Sequence, residues 1–580
     1  MDHKNIFFQG AALIRNTLGH DADAERLKGD LLAVANVFSC CLPSQSNGRK
    51  APGRLKHFSL FLMIIQNIRC HHRKIIRQHI ITSSCTIAPI VSKINSFVAI
   101  VNLFYSESFY KIESIIEVID MRFVDGGIIT MCDRKKVLEE FELQKEFMQE
   151  TALPNIEKYR KGDCVVTVCD AAGKPIPHRK VQVKQTSHAF RFGANLFMLD
   201  EMETEEKNEL YKKHFAETFN MATLPFYWNA TEPEEGKTRY AIGSPRLYRR
   251  PPIDLCMEFC KAHNIEPREH GLAYEHWFPE WLYGKDTPTV KAALEKRFAE
   301  IAERYGDQIR TIEVTNEMEW VQGRTDFYDS PEYVLWCFQL AEKYFPNSQL
   351  VANESSRLCW DNRCRPIDSY RAYAELNMLK GARIDAIGMQ HHGFFKREVE
   401  YEKTRLRYNP RELYRRLDLF AQLGKPLQIT EVTFPAYSWE AEDEQIQATL
   451  LENMYTLWFS HPAMEQIIYW NLVDGYAHLW RVDEETLRKS LGNMTIGENY
   501  YHGGLFRHDF TPKPAFHKLK ELLEKTWHTE LTLETDENGC IRFRGFYGDY
   551  ALQLNDSAEK TAAFKLASGG DNDLRVALSK

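Results

Sequence analysis

Short apolar runs alternate with amphipathic helical patterns through the middle of the chain, from about residue 188 to residue 525. The helical segments, such as VKAALEKRFAEIAERY and NPRELYRRLDLFAQLG, repeat apolar residues three and four positions apart. Eight such βα units are typical of a closed parallel (β/α)8 TIM barrel. The eight apolar runs are 189–195, 219–223, 269–275, 311–317, 349–355, 386–392, 427–432 and 467–472.

An open, doubly wound sheet is the alternative arrangement for the same alternation. Such a sheet usually carries a Gly-rich phosphate loop after its first strand. The run at 189–195 is followed by no loop of that kind. The pattern therefore favours the α/β barrel over the open sheet.

Strict alternation of apolar and polar residues, which is typical of strands buried on one face, flanks the barrel region on both sides. CVVTVCD and KVQVKQTS precede it, and ELTLETDENGCIRFRGFYGDYALQLN follows it. We predict that the two segments pair into one small β-sandwich. The predicted domains are a helix plus strands at 131–187, the barrel at 188–525, and strands that complete the sandwich at 526–580.

The first 130 residues differ from the rest of the chain. Between Leu31 and Ser106 there is no Asp or Glu, although acidic residues number 81 in the whole chain. The apolar residues there keep neither a helical nor a strand period. We interpret residues 1–130 as a disordered extension or mistranslated upstream sequence, with synthesis starting at Met131; a basic interaction segment is the alternative.

Charge and composition restrict the classes of partner. A net charge of −7 argues against a nucleic-acid-binding protein. The 13 cysteines form no CxxC pair, which favours reduced thiols in a cytosolic protein. The start of the chain shows no signal peptide, and the most apolar run, Phe58–Ile68, is too short to cross a bilayer. We therefore expect a cytoplasmic protein without a membrane partner.

Two glutamates stand where a barrel places its reacting groups, at the C-terminal ends of strands. The fourth run ends on Asn316 and Glu317, and the seventh carries Glu431 near its end. Hydrolysis of a glycosidic bond needs one protonated carboxyl for the leaving oxygen and one ionised carboxylate for the anomeric carbon. A single glutamate at a strand end is more often solvated or ion-paired, but two at these strands favour a catalytic pair.

From about His188 to Lys520 the chain resembles glycoside hydrolase family 10, the endo-β-1,4-xylanase family. IEVTNE resembles the acid/base strand of that family, and ITEVT resembles its nucleophile strand. IGMQHHG resembles the strand whose Gln and His surround the nucleophile. HGLAYEHWFPEWL, WNATEPEEGK, YWNLVDGY and LFRHDFTPKPAF resemble further motifs of the family in the same order.

The resemblance implies a retaining hydrolase of β-1,4-xylosidic linkages that needs no metal or cofactor. Glu317 would be the general acid/base, Glu431 the nucleophile, and Asn316 the residue that holds the sugar 2-hydroxyl. A hydrolase of another β-linked glycan and a non-catalytic carbohydrate-binding barrel are the alternatives. The further substrate-binding candidates are His270, Gln390, His392, Trp470, Glu275 and Tyr227.

Departures from the family pattern surround the two carboxylates. Residues 224–228 read LPFYW where the family has an Asn and a Lys that bind sugar. Tyr274-Glu275 stands for a Trp-His pair, Thr433 for an Asp, and His478 for a Trp. We infer that hydrolysis is kept while the preferred substrate or chain length has changed. Glu275 is either a third carboxylate of the site or an ion-pair partner of a nearby arginine.

Overall fold

The computed structural model describes residues 134–318, 324–361, 368–479, 486, 489–555 and 557–578. The predictions for residues 1–130, including the start at Met131, lie outside this part of the chain. The described residues begin with a mainly helical stretch that contains α1 (Glu139–Leu143), α2 (Lys145–Phe147) and α3 (Leu153–Tyr159). Two long strands follow, β1 (Lys161–Cys169) and β2 (Lys180–His188).

Eight parallel strands then close into a barrel, which confirms the predicted fold class. Each strand pairs with its neighbours along the chain, and the last strand pairs with the first of the barrel. The barrel strands are β3 (Arg191–Asn195), β4 (Met221–Pro225), β5 (Glu266–His270), β6 (Thr311–Asn316), β7 (Gln349–Glu354), β8 (Ala386–His392), β9 (Leu427–Thr433) and β10 (Met464–Tyr469).

Helices and shorter helical turns connect the barrel strands. Among the described residues, no helix combines the length and the apolar character that a bilayer span requires. The helices are α4 (Glu205–Thr218), α5 (Trp228–Thr231), α6 (Ile253–Ala262), α7 (Thr287–Tyr305), α8 (Tyr333–Tyr344), α9 (Ser369–Leu379), α10 (Glu400–Thr404), α11 (Pro410–Ala421), α12 (Ala441–Ser460) and α13 (Pro514–Glu521).

The helix α7 shows how local sequence forms these elements. The Asp286 carboxylate caps its first turn by accepting a hydrogen bond from the Thr289 amide. Val290, Leu294 and Phe298 follow at four-residue spacing, and all three are fully buried. Because residues four apart share one helix face, this spacing presents a continuous apolar stripe to the barrel.

The third barrel strand differs most from its predicted position. The apolar run predicted a strand at 269–275, but β5 covers Glu266–His270 and is largely polar. Arg268 and Glu269 are fully buried within it. Buried charged and polar contacts therefore take the place of apolar packing, and the apolar residues that suggested the strand lie in the turn after it.

Two small sheets, each built from both ends of the described chain, form the predicted sandwich. One has the order β12-β1-β15 and the other β11-β2-β13-β14. Side chains from both sheets, including Val166, Val183 and Leu552, share one buried apolar cluster. The C-terminal strands are β11 (Glu530–Glu534), β12 (Cys540–Phe546), β13 (Gly548–Leu554), β14 (Ser557–Leu566) and β15 (Asp573–Ala577).

Candidate active site

The structure brings Glu317 and Glu431 together at the C-terminal mouth of the barrel. Glu317 directly follows β6, and Glu431 lies near the end of β9. One amide nitrogen, Gln390 Nε2, donates to both carboxylates, at 2.9 Å from Glu317 Oε1 and 3.1 Å from Glu431 Oε1. These two oxygens are therefore no farther apart than the sum of the two distances.

The backbone turns sharply at Glu317. Its φ is 51°, in the left-handed region that a non-glycine residue rarely adopts. Its amide donates to the Asn353 carbonyl oxygen on the neighbouring strand at 3.2 Å. A strained backbone held by such neighbours is common at functional sites, and here it places the carboxyl group over the barrel mouth.

Three donors converge on the Glu431 carboxylate. Besides Gln390, the Asn353 amide donates to Oε1 at 3.4 Å, and His392 Nε2 lies 3.1 Å from Oε2. The other ring nitrogen of His392 lies 3.1 Å from the Thr433 hydroxyl. Burial lowers the pKa of His392 to about 4, so the ring is neutral at pH 7. The neutral ring then donates from Nε2 to Glu431 and accepts from Thr433 at Nδ1.

The Glu317 carboxylate has a different neighbour, the Tyr274 hydroxyl, which donates to its second oxygen Oε2. Burial raises the pKa of Glu317, and the hydrogen bonds from Tyr274 and Gln390 oppose that increase. Tyr274 occupies the position where the sequence departs from the family's Trp. Tyr274, although it departs from the family pattern, therefore contacts the predicted acid/base directly.

Burial also raises the pKa of Glu431, to about 8. The field of His270 opposes this increase, while the nearby carboxylates of Glu313 and Glu317 add to it. Because two close carboxylates repel each other when both are ionised, the pair holds one proton over a wide pH range. A pair that carries one proton has one acid and one base available at the same time.

A buried ion-pair network lies beside the two carboxylates. Glu313, on β6, accepts from the Arg268 guanidinium and lies 2.7 Å from His270 Nδ1 through its Oε1. His270 Nε2 in turn lies 2.9 Å from the Tyr227 hydroxyl. Burial works against ionisation of Glu313, but the fields of His270 and Arg268 outweigh it and lower its pKa. The predicted ligands His270 and Tyr227 are thus fixed through Glu313.

Among the described residues, this network contains the one group of three side chains whose ligand atoms lie close enough together to hold a metal ion. Atoms of His270, Glu313 and Glu431 lie within 4.8 Å of one another. The Arg268 guanidinium already forms an ion pair with the Glu313 carboxylate, and it would repel a metal cation at that position. The arrangement therefore fits hydrogen bonding and charge balance better than metal coordination.

Aromatic rings form one wall of the mouth. Trp470 follows β10 directly, and its ring centroid lies 5.9 Å from that of His392 and 5.6 Å from that of His270. Phe197 packs edge-on against Trp470 at 5.2 Å. Aromatic faces of this kind stack on the apolar faces of sugar rings. The predicted position of Trp470 beside the two carboxylates suits that contact.

Asn316 belongs to the hydrogen-bonded group around Glu317 and Glu431, whereas Glu275 does not. The Asn316 side-chain oxygen accepts from Asn353 at 2.9 Å and from Gln390 at 3.2 Å, so its amide NH2 group is the part left for a ligand. The Glu275 carboxylate instead accepts from the amide and hydroxyl of Thr325. Burial raises the pKa of Glu275. Its hydrogen bonds thus go to the loop after β6 and not to either catalytic candidate.

Three residues that hydrogen-bond to the pair or to its neighbours were not among the residues predicted from the sequence. They are Tyr274, Asn353 and Glu313. The same signal that found Asn316, a polar residue near the end of a predicted strand, applied to Asn353. For Glu313 the signal was an acid in the middle of the apolar run TIEVTNE. Tyr274 lay inside the run 269–275 that was predicted as a strand, whereas in the structure it follows a turn after the strand has ended.

Comparison with known proteins agrees with this geometry. The family model described as Glycosyl hydrolase family 10 matches residues 184–522. The anti-sigma-I factor RsgI6 of Acetivibrio thermocellus is 26% identical over 407 residues, covering 69% of this chain and 45% of that protein. Endo-1,4-beta-xylanase 2 of Arabidopsis thaliana is 24% identical over 408 residues, covering 68% of this chain and 32% of that protein.

The chain thus spans less than half the length of these two curated relatives. Among solved structures, native xylanase 10B from Thermotoga maritima is similar with a TM-score of 0.45 and 20% identity, over 58% of this chain and 96% of that one. The family model covers more than half of the present chain, including both β6 and β9. The chain belongs to glycosyl hydrolase family 10.

Proposed function

We propose that this protein is a retaining glycoside hydrolase that cleaves β-1,4-xylosidic linkages of xylan or xylo-oligosaccharides. The observation that carries the proposal is the Gln390 amide, which bonds to both Glu317 and Glu431. The two distances limit the carboxyl separation to a value compatible with the roughly 5–5.5 Å of retaining enzymes. The roughly 6.5–9.5 Å of inverting enzymes, which leave room for a water molecule, is too large.

The reaction then proceeds by double displacement. Protonated Glu317 gives its proton to the glycosidic oxygen while the Glu431 carboxylate attacks the anomeric carbon. The C–O bond to the leaving sugar breaks and a covalent glycosyl-enzyme forms. Ionised Glu317 next removes a proton from water, which attacks the same carbon and releases Glu431 as a carboxylate. Two inversions leave the configuration of the anomeric carbon unchanged.

The hydrogen-bond donors support this division of roles. Gln390, Asn353 and His392 all donate to Glu431, which stabilises the negative charge that a nucleophile needs. The Asn316 amide group lies next to both carboxylates, where it suits the 2-hydroxyl of a bound sugar. That contact gains strength as positive charge develops on the sugar ring in the transition state.

The substrate class follows from the relatives and the aromatic wall. Several relatives are named endo-1,4-beta-xylanase, including those of Arabidopsis thaliana and Cellvibrio japonicus. Trp470 provides a flat apolar ring beside His270 and His392, next to the carboxylates. A β-linked pentose or hexose polymer offers the matching faces. Other β-glycans remain the alternative substrates within the same reaction.

A non-catalytic carbohydrate-binding barrel is the alternative from a different class. The relative named as an anti-sigma-I factor gives this alternative a specific basis, because that name describes regulation and not hydrolysis. The retained pair Glu317 and Glu431 supports hydrolysis, since a barrel that only binds sugar has no need of both carboxylates.

Activity measurements on single variants test the proposal. Glu317→Ala and Glu431→Ala should each lower release of reducing sugar from xylan by at least about a thousandfold. With an activated aryl β-xyloside, added azide should restore turnover in both variants but give different products: the α-glycosyl azide from Glu431→Ala, where azide attacks in place of the nucleophile, and the β-glycosyl azide from Glu317→Ala, where azide attacks the glycosyl-enzyme. Glu295→Gln, on an exposed surface ion pair, serves as the control. Absence of hydrolysis of any β-glycan by wild type, together with measurable binding, would establish the binding alternative.

A further inference from the structure

Two consecutive arginines, Arg249 and Arg250, are buried beside the aromatic wall of the candidate active site. Arg249 is 3% exposed and Arg250 is 9% exposed. The Arg250 guanidinium lies 3.9 Å from the centroid of the Tyr227 ring and 5.1 Å from that of Trp277. Tyr227 is the residue whose hydroxyl contacts His270, so Arg250 is separated from the catalytic network by a single side chain.

Neither arginine forms an ion pair with a carboxylate in the described part of the chain. Arg250 donates from Nη1 to the Arg249 carbonyl at 2.9 Å, and Arg249 donates from Nη1 to the Tyr476 carbonyl. The Nε of Arg249 is buried without a hydrogen-bond partner. A buried guanidinium is normally paired with an anion, because burial removes its hydration. The two buried arginines are therefore an exception to this rule, and their position requires an explanation.

The surroundings of Arg250 add positive charge and little negative charge. Burial lowers the pKa of Arg250 to about 10, with Arg249 and Arg239 contributing in the same direction. Tyr227 and the more distant Glu498 carboxylate oppose the decrease. Glu498 accepts hydrogen bonds from the Asn471 side chain and the His478 amide and forms no ion pair with Arg250. Among the groups that act most strongly on Arg250 there are thus two further arginines but one carboxylate, Glu498.

The backbone that carries the two arginines is strained at Arg249. Arg249 has a φ of 58°, in the left-handed region. The Arg250 carbonyl is fixed by the Arg239 guanidinium at 2.6 Å. His478, which lies edge-on to Trp277 at 5.4 Å, has its pKa lowered to about 3 by burial and by the fields of Arg250 and Arg249. A strained segment that concentrates positive charge at a sugar-binding wall indicates a binding role.

We propose that Arg250, supported by Arg249, binds a carboxylate carried by the substrate, so that the preferred β-glycan is one that bears uronic acid groups. The planar guanidinium offers paired donors that match the two oxygens of a carboxylate. The guanidinium lies against the rings of Tyr227 and Trp277, so it adjoins the aromatic wall that is proposed to hold the sugar. The proposal rests on the proposed function and specifies its substrate class.

The test uses one polymer in two forms. Glucuronic-acid-substituted xylan and the same material after reduction of its carboxyl groups to primary alcohols differ only in the charge that Arg250 is proposed to bind. Wild type should show at least about tenfold higher kcat/KM on the acidic polymer, as expected for a charge-assisted hydrogen bond. In Arg250→Met this ratio should fall to about one, and Arg250→Lys should recover part of it. Arg246→Gln, in the same segment but paired outward with Glu201, should keep the wild-type ratio.

Equal activity of wild type on both polymers would overturn the inference, as would an Arg250→Met variant that keeps the preference. Failure of the proposed function is distinguished by binding. If wild type hydrolyses neither polymer, calorimetric titration of Glu431→Gln with acidic and carboxyl-reduced oligosaccharides still decides the role of Arg250. Preferential binding of the acidic form that is lost with Arg250→Met would support it, and equal binding of both forms would refute it.

Discussion

Glu317 and Glu431 carry the same side chain, so the different roles proposed for them must come from the groups around them. Glu431 receives three donors from Gln390, Asn353 and His392. Glu317 shares Gln390 but has a phenol, Tyr274, as its second partner. Burial raises the pKa of both carboxyls. In the proposed reactive form the proton of the pair lies on Glu317, and the larger number of donors to Glu431 stabilises the negative charge of that carboxylate.

Tyr274 gives this argument a pH test. Its hydroxyl stabilises the ionised form of Glu317, so Tyr274→Phe should raise the pKa of Glu317 further. Because Glu317 must be protonated in its proposed role as general acid, a higher pKa of Glu317 should keep activity to higher pH. The alkaline limb of kcat/KM against pH should therefore move upward by roughly one pH unit. An unchanged or lower alkaline limb would exclude Tyr274 as a donor to the acid.

The placement of the candidate residues could be predicted, because a (β/α)8 barrel carries its reacting groups at the C-terminal ends of its strands. The sequence placed Asn316, Glu317 and Glu431 at strand mouths, and the structure brings them into one hydrogen-bonded group. Partners such as Tyr274 could not be predicted in this way. Tyr274 lies in the turn after β5, and its direction depends on how the backbone folds beyond the strand, which the apolar periodicity does not specify.

At the scale of elements, the barrel strands were predictable where their interiors are apolar. β8 begins and ends at the residues that the apolar run indicated, Ala386 and His392. β5 was displaced in the prediction because its inward side chains, Arg268 and His270, are polar. Hydrophobic alternation cannot report a strand whose inner face is stabilised by the carboxylate of Glu313 on the neighbouring strand.

The Arg268–Glu313 pair links β5 to β6, and both side chains are fully buried. Arg268→Met should destabilise the protein by about 3–5 kcal/mol, because it leaves a buried carboxylate with too little compensating charge. The double variant Arg268→Met/Glu313→Gln should recover a large part of that loss. Denaturant unfolding at pH 7 measures both. The exposed pair Lys343 and Glu295 is the control, and Lys343→Met should change the stability by less than about 1 kcal/mol.

The difference in the free energy of unfolding between wild type and Arg268→Met should depend on pH, because the pKa of Glu313 is lowered in the folded state. A carboxyl whose pKa is lower in the folded state stabilises the fold above its unfolded pKa of about 4.3. That stabilisation is lost as the pH falls through the folded value. The difference in the free energy of unfolding between wild type and Arg268→Met should therefore be largest at neutral pH and become smaller in acid. A gap that widens in acid would contradict an ionised Glu313.

At the scale of the whole described chain, the sandwich and the barrel are joined through shared side chains. Phe546, at the end of β12, belongs to the barrel's apolar cluster and lies 6.2 Å from Phe459 of α12. Trp527, just before β11, packs against Phe459 at 4.4 Å. Arg160, just before β1, donates to the Met464 carbonyl of β10 at 2.9 Å. The pairing of the two ends was predictable from strand alternation, whereas these junction contacts depend on tertiary geometry.

This junction predicts that the sandwich and the barrel unfold together. Leu552 on β13 is fully buried in the sandwich and does not contact the active site. Leu552→Ala should cost about 2–5 kcal/mol through lost apolar contact and the cavity left behind. If the two parts are coupled, thermal unfolding followed by far-UV circular dichroism and loss of glycosidase activity should shift to lower temperature by the same amount. Leu379→Ala, on an exposed position of α9, should leave both midpoints unchanged. Two separated transitions, with activity lost only in the later one, would show that the sandwich unfolds independently of the catalytic barrel.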